Sequence, residues 1–351
     1  MKEVISIAGT SIGKGQKPFV IAELSGNHNQ SIDTAIDMVR AAAESGVQAV
    51  KLQTYTADTM TLNSQQDDFV IKDKTSPWHG QNLYQLYQQA HTPWEWHQEI
   101  FHEAKKLGLI AFSTPFDASA VDFLESLDVP AYKIASFENT DIHLIRRVAQ
   151  TGKPIIISTG MASVAEIDEC VKTCREAGCR DLLLLKCTSS YPADPTDSHL
   201  LTIPHMQQLF SCHVGLSDHT RGIGAAVASV ALGGAVIEKH FTLDRASGGV
   251  DADFSLEPDE MKMLVTEVNR AWQSLGSVHY GPTSQEKASI KYRRGLYVVK
   301  DLKAGDYLTQ ESVRALRPAL GMSAKHFDFI CGKQVKKQTK AGTPLTWDIL
   351  L

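Results

Sequence analysis

Between Pro18 and about Leu243 the chain alternates short apolar runs with stretches in which apolar residues return every three or four positions. The runs are FVIAEL (19–24), VQAVKLQ (47–53), LIAFSTPF (109–116), AYKIAS (131–136), PIIIST (154–159), LLLLKCT (182–188), HVGLSD (213–218) and AVIEKHF (235–241). Runs of this length read as buried strands, and the longer repeats between them as amphipathic helices. In SIDTAIDMVRAAAESG the Ser31 hydroxyl is placed to cap a helix and Gly46 to stop it. In SVAEIDECVKTCREAG, Ser163 and Glu166 have the spacing of a capping box. Eight strand-helix units predict a parallel sheet, and eight is the number that closes an α/β TIM barrel of about 250 residues. The alternative is a doubly wound open sheet. No G-x-G-x-x-G follows the first strand, which removes its main support.

Two stretches depart from the alternation. Residues 54–106 exceed a normal connection and contain WHGQNLYQLYQQAHTPWEWHQEIFHEA, which predicts two helices behind a polar insertion. A long excursion after a barrel strand reads as a substrate lid or specificity loop, with a surface decoration as the alternative. After Trp272, GSVHYGPTSQEKAS is polar and reads as a linker. The expected organisation is therefore a catalytic domain over 1–275, a linker over 276–289 and a small domain over 290–351. In the last, Lys303-Ala304-Gly305-x-x-Leu308-Thr309 recurs as Lys340-Ala341-Gly342-x-x-Leu345-Thr346, which predicts a pseudo-symmetric, mainly β fold.

Composition narrows the function classes. Of 351 residues, 43% are hydrophobic and 21% charged, ordinary values for a soluble globular protein, and the formal net charge is -5. Lys and Arg are scattered, so no basic run points to nucleic acid or to an anionic membrane. Met1 to Gln16 is polar and unlike a signal peptide, and no apolar run approaches the ~20 residues that span a bilayer. The six cysteines include Cys170, Cys174 and Cys179 in a C-x3-C-x4-C spacing that matches no standard zinc framework. They read as reduced structural thiols of a cytoplasmic enzyme.

The carboxyl ends of the strands, where TIM barrels place their catalytic groups, are unusually polar. They carry Glu23; Lys51 and Gln53; Ser113 and Thr114; Lys133, Ser136 and Glu138; Ser158; Lys186, Ser189 and Tyr191; Ser217, Asp218 and His219; and Glu238, Lys239 and His240. Lys51, Lys133 and Lys186 interrupt strands that should be almost wholly aliphatic. A buried ammonium needs an anion, so together they read as a cradle for phosphate or carboxylate; for any one of them the alternative is an ion pair with a neighbouring Glu. His219 and His240 end adjacent strands. Two neutral imidazoles with water in the open positions can hold a divalent metal, and the alternative for each is a hydrogen-bonded core histidine.

The segments IAELSGNHN (21–29), VKLQT (50–54), STPF (113–116), YKIAS (132–136), STGM (158–161), CTSSYP (187–192), GLSDHT (215–220) and EKHFT (238–242) resemble the sialic acid synthase family. The C-terminal RRGLYVVKDLKAGDYLT and GKQVKKQTKAGTPLT resemble that family's antifreeze-like (SAF) domain. AELSGNH, KLQTYTADTMT and LYQLYQQAHTPWEWH look like its pseudaminic branch, with the N-acetylneuraminate and legionaminate branches as alternatives. The resemblance implies a transferase that condenses phosphoenolpyruvate with 2,4-diacetamido-2,4,6-trideoxy-altrose and releases phosphate. It implies phosphoenolpyruvate ligands at Lys51, Thr114, Lys133, Ser136, Ser158 and Ser217, with Ser189 on the phosphate side. Metal ligands are implied at His219 and His240, for Mn²⁺ with Mg²⁺ or Co²⁺ as alternatives. A proton-transfer group is implied at Glu23, with Glu138 the second carboxylate at the strand ends, and sugar contacts at Gln53, Tyr191 and Asp251. It also implies a homodimer in which Arg317 of one chain enters the partner's site; Lys186 inherits no role. The rival readings are a Schiff-base aldolase using Lys133 or Lys186 and a non-catalytic carbohydrate-binding protein.

Overall fold

The computed structural model describes residues 3–74, 76 and 78–351, so Met1 and Lys2 of the polar N-terminal segment lie outside the described residues. Two compact units are present, Met1–Gly276 and Ser277–Leu351.

The first unit is a closed barrel of eight parallel strands, which excludes the open sheet. In chain order, after a two-stranded hairpin β1 (Val4–Ile7) and β2 (Thr10–Gly13), the staves are β3 (Phe19–Glu23), β4 (Ala49–Thr54), β5 (Ile110–Pro115), β6 (Tyr132–Ile134), β7 (Ile155–Ser158), β8 (Leu182–Cys187), β9 (His213–Asp218) and β10 (Val236–His240). Each falls within one of the eight apolar runs, except that β4 extends one residue past its run, to Thr54. Neighbours pair in sequence order and β10 closes on β3, with His240 opposite Glu23.

Helices surround the barrel where the caps direct them. Ser31 accepts from the Thr34 N–H at the start of Ile32–Ser45, and Gly46 ends that helix at φ 84°, a left-handed turn that glycine adopts without strain. Ser163 and Glu166 form the reciprocal capping box of Val164–Glu176. The excursion after β4 holds Leu83–Ala90 and His97–Lys106, with a further short turn at Ala57–Met60.

Alternation along the staves separates two apolar environments. Outward residues such as Val50, Leu52, Ile155 and Leu184 pack under the helices. Inward residues Phe19, Ile21, Ala49, Phe112, Ile156, Leu183, Leu185 and Val236 fill the barrel, and Ile5, Ile7 and Ile12 of the hairpin join them. The N-terminal segment therefore plugs the barrel with three isoleucines, a role its polar average conceals. With the amino-terminal end filled by side chains, the open end is the carboxyl one.

The second unit has less regular structure than the expected mainly β fold. Two four-residue strands, β11 (Gly295–Val298) and β12 (Val313–Leu316), pair antiparallel, and isolated bridges such as Leu302 with Thr339 supply the rest. The internal echo is real in three dimensions. Gly305 and Gly342 both sit at φ 87°, and the N–H groups of Leu308 and Leu345 each donate back across the core, to Lys333 and Leu296. Leu296, Val298, Leu308, Val313, Val335 and Leu345 make that core.

All six cysteines are free, five of them buried. Among the described residues, no helix is long and apolar enough to cross a membrane.

Candidate active site

The polar residues at the barrel mouth form one network of hydrogen bonds and ion pairs. Glu23, Lys51, Lys133 and Glu238 point inward from β3, β4, β6 and β10. Lys51 Nζ contacts Glu23, lies 3.9 Å from Glu238 Oε2 and donates to Thr114 Oγ1 at 3.0 Å. Lys133 Nζ stands 3.4 Å from Glu238 Oε1 and donates to Ser158 Oγ at 2.7 Å. Ser217 donates to Glu238 at 3.1 Å, and Gln53 to Glu23 at 3.2 Å.

Burial pushes the Glu23 carboxyl above the usual carboxylate range, although Lys51 opposes it. Burial acts the same way on Glu238, but Lys133 and Lys51 outweigh it and hold that carboxyl low. When Glu23 carries its proton, two ammonium groups face one carboxylate, and the surplus positive charge is a receptor for an anion. Each lysine alone is thus paired with a glutamate, as its simpler alternative had it.

Lys186 does not belong to this cradle. It alternates outward with Leu182 and Leu184, and its ammonium donates to the Cys187 carbonyl and to Thr188 Oγ1. The three-lysine cradle is corrected to two, because the strand's two-residue period turns Lys186 away while Cys187 points in.

Ser136 and Ser189 meet over Gly160. Ser136 Oγ accepts from the Gly160 N–H at 3.1 Å, and a Cβ at Gly160 would fall 2.1 Å from Ser189 Oγ. Glycine is required there for the two hydroxyls to converge. Asn139 fixes the same turn by donating to the Ser158 and Gly160 carbonyls.

The two histidines sit beside this network, with ring centroids 5.3 Å apart. His219 Nδ1 faces the Thr188 carbonyl at 2.9 Å. A carbonyl only accepts, so Nδ1 carries the hydrogen and the Nε2 lone pair is left for another partner. Burial holds His240 well below its ordinary pKa, hence neutral; its Nδ1 is buried without a hydrogen-bond partner, 3.6 Å from Asp251 Oδ2. Two facing imidazoles, of which His240 is neutral with an orphaned buried nitrogen, fit a divalent cation. Among the described residues no third His, Cys, Asp or Glu completes a ready-made cluster, so substrate and water would fill the remaining positions.

Over the mouth lies a cavity of about 510 Å³. Its floor includes Gln53, Ser189, Tyr191, His240 and Asp251, and Glu138 stands in its wall. Its apolar side comes from Tyr55, Met60, Ile71, Trp78, Leu86 and Tyr87 of the long excursion, which is therefore a wall of the site rather than a decoration. Trp78 Nε1 donates to the Val250 carbonyl and its ring lies 6.0 Å from Tyr191, tying the excursion to the loop after β10.

Glu138 Oε2 is buried without a partner, and burial raises its pKa to about 7. The folded chain then holds a proton that the unfolded chain releases near 4.5, so stability falls as pH rises between those values. Glu138→Gln should remove that slope, gaining on the order of 2–3 kcal/mol over wild type at pH 8 relative to pH 4.5. Urea unfolding at the two pH values measures it, and equal differences would refute the buried, proton-binding carboxyl.

Glu23, Lys51, Gln53, Thr114, Lys133, Ser158 and Ser217 are thus gathered in one network, and Ser136, Glu138, Ser189, Tyr191, His219, His240 and Asp251 stand around it. Arg317 is exposed on the second unit. Glu238 had no role assigned from sequence, although its two-residue spacing from His240 puts both on the inward face. Cys187 was also missed. Its thiol lies 3.8 Å from His219 Nδ1 and, with His219 beside it, is lowered to about 6 although burial alone would raise it.

Comparison with known proteins places this geometry. The profile of the NeuB family matches residues 38–280 and that of the SAF domain residues 293–351. The pseudaminic acid synthase of Helicobacter pylori is 42% identical over 95% of this chain and 98% of its own length. The pseudaminic acid synthase of Campylobacter jejuni is 42% identical over 94% of this chain and 96% of its own. Among solved structures, the N-acetylneuraminic acid synthetase of Leptospira borgpetersenii in complex with citrate superposes with a TM-score of 0.73 at 30% identity, covering 82% of this chain and 95% of that one.

Proposed function

Because this chain belongs to the NeuB family and ends in a SAF domain, we propose that it is a pseudaminic acid synthase. It joins phosphoenolpyruvate, 2,4-diacetamido-2,4,6-trideoxy-L-altrose and water into pseudaminic acid and phosphate. The observation that carries this reading is a cavity lined by His240, Asp251 and the apolar wall, beside the two-lysine cradle and the facing ring of His219. The cradle suits the phosphate and carboxylate of phosphoenolpyruvate, and the apolar wall suits acetamido methyls and a 6-deoxy carbon.

Lys51, Lys133, Thr114, Ser136, Ser158, Ser189 and Ser217 hold phosphoenolpyruvate, and Gln53, Tyr191 and Asp251 hold the sugar. His219 and His240 would hold a divalent cation, Mn²⁺ in preference to Mg²⁺ or Co²⁺, which when bound supplies Lewis acidity to the aldehyde carbonyl. With both substrates oriented, C3 of phosphoenolpyruvate forms a bond to the aldehyde carbon and the aldehyde oxygen takes a proton. Water adds at C2, and the C2–O bond to phosphorus-bearing oxygen breaks as phosphate leaves. Glu23, held above the ordinary carboxylate range by burial, and Glu138, raised to about 7, are placed to carry protons, one toward the aldehyde oxygen and one from water. The lysines and hydroxyls steady the charge on the departing phosphate.

Phosphate release measured over a panel of acetamido-aldoses, with mass spectrometry of the product, tests the reading. The 6-deoxy diacetamido altrose should be preferred over N-acetylmannosamine by ~10-fold or more, since the apolar wall offers the additional hydroxyl no partner. Comparable rates on the two sugars would move the assignment to an N-acetylneuraminate synthase.

The proposal extends to a symmetric homodimer in the cytoplasm, a compartment in which six free thiols persist. Arg317 of one protomer supplies a planar fork of donors to the sugar in the partner's site. Mixing inactive Arg317→Ala and His219→Ala chains should give heterodimers with about half of the wild-type activity, because one of their two sites is whole, and so about a quarter for an equal mixture after random exchange. A mixture that stays dead after confirmed subunit exchange refutes the shared site.

A further inference from the structure

The turn after β3 carries Ser25-Gly26-Asn27-His28, of which the mechanism so far uses nothing. Asn27 is buried, and its side-chain amide reaches more than two hundred residues along the chain to the loop after β10. Nδ2 donates to the Phe241 carbonyl at 2.9 Å and to Ser255 Oγ at 2.9 Å. Oδ1 accepts the Asp251 N–H at 3.0 Å. Ser255 Oγ in turn donates to the Asp251 carbonyl at 2.7 Å. Both backbone polar groups of Asp251 are therefore held by one asparagine, the N–H directly and the carbonyl through a single hydroxyl. The amide orientation is fixed by its partners, since an N–H needs the oxygen and a carbonyl needs the NH₂.

The neighbouring sequence accommodates this contact. A Cβ at Gly249 would stand 2.6 Å from Asn27 Oδ1 and 3.0 Å from its Cα. Glycine at 249 is what lets the loop close onto the asparagine. On the other side of the turn, a Cβ at Gly26 would meet the Ala90 carbonyl and a Val250 methyl, each at 2.6 Å. His28 Nδ1 accepts the Gln30 N–H, which leaves its Nε2–H to donate to Thr92 Oγ1 at 3.1 Å. The turn thus touches two walls of the cavity, the loop bearing Asp251 and the excursion bearing Tyr87.

We infer that Asn27 is a positioning residue for sugar recognition: by holding both sides of the Asp251 peptide it aims that carboxylate into the cavity beside His240. The inference rests on the proposed sugar-side role of Asp251. A carboxylate on an untethered loop loses its set geometry, and a displacement near 1 Å is enough to cost a large part of a contact's effect.

The test is a double-mutant cycle. Asn27→Ala should raise the KM for the sugar aldehyde ~10- to 100-fold while the KM for phosphoenolpyruvate and the Mn²⁺ affinity stay within about twofold. In an Asp251→Ala background, Asn27→Ala should raise the sugar KM no further, because the group it aims is gone. A general structural defect behaves differently: both substrates weaken together, or the two substitutions multiply, and either result overturns the inference. Gly249→Ala, which crowds Asn27 from outside the barrel, should reproduce the selective loss and decides the matter should Asn27→Ala not fold. Hydrogen exchange at the Asp251 amide should accelerate in Asn27→Ala whatever the substrate, and unchanged exchange also refutes the tether. Wild-type turnover serves as the separate control. If the wild type rejects the diacetamido altrose, the functional reading fails while the cycle, run with the acetamido-aldose it accepts, still reads the tether.

Discussion

His219→Ala and His240→Ala are each expected to reduce turnover by about a thousandfold or more while the barrel stays folded. The size follows from the several kcal/mol of charge stabilisation that a bound cation gives a reacting carbonyl. The survival of the fold follows from position. Both rings lie at the mouth, His240 lining the cavity, rather than in the aliphatic layers of Phe112, Ile156 and Leu185. Truncation there extends a polar, wettable cavity instead of opening a dry void, so the usual large core penalty does not apply. Titration of Mn²⁺ by electron paramagnetic resonance should show weakened binding in both variants, with thermal unfolding near that of wild type. A chelator should silence the wild type and added Mn²⁺ restore it. Full activity in a metal-stripped preparation would remove the two histidines from their proposed role.

Lys51→Met should be damaging twice over. It removes a cation from the anion cradle, so kcat/KM for phosphoenolpyruvate should fall ~100-fold or more. It also leaves Glu23 and Glu238, both buried and now short of one counter-charge, to face each other. Breaking a buried pair by removing one member typically costs about 3–5 kcal/mol, so a loss of that order is expected in denaturant unfolding. The two effects separate in a double variant. Adding Glu23→Gln to Lys51→Met restores charge balance and should recover most of the stability, yet activity should not return because the cradle still lacks its lysine. If the double variant is as unstable as the single one, the network is not the electrostatic unit its geometry describes.

How far the sequence carries can be judged at particular residues. The eight staves were legible because a buried parallel strand must be a short aliphatic run, and the caps at Ser31, Gly46, Ser163 and Glu166 because capping is a local exchange of hydrogen bonds. The candidate residues were legible for a related reason: a lysine or histidine at the end of an aliphatic stave is costly enough to stand out. The sequence by itself therefore determined the barrel, its reactive end and nearly every side chain in the network.

Other features were decided only in three dimensions. Whether Lys186 joined Lys51 and Lys133 depended on which face of β8 it took, and the two-residue period of the pleat turned it outward. Glu238 became the counter-charge of two lysines only when barrel closure brought β10 beside β3 and within reach of β4 and β6. The plug of Ile5, Ile7 and Ile12 lay hidden in a polar average because three side chains, not the mean, fill the barrel end. The tether from Asn27 to Asp251 joins residues 224 positions apart. Strand and helix patterns record the demands of near neighbours in the chain, whereas partners such as these are chosen by closure of the whole barrel, which brings distant strand ends onto one rim.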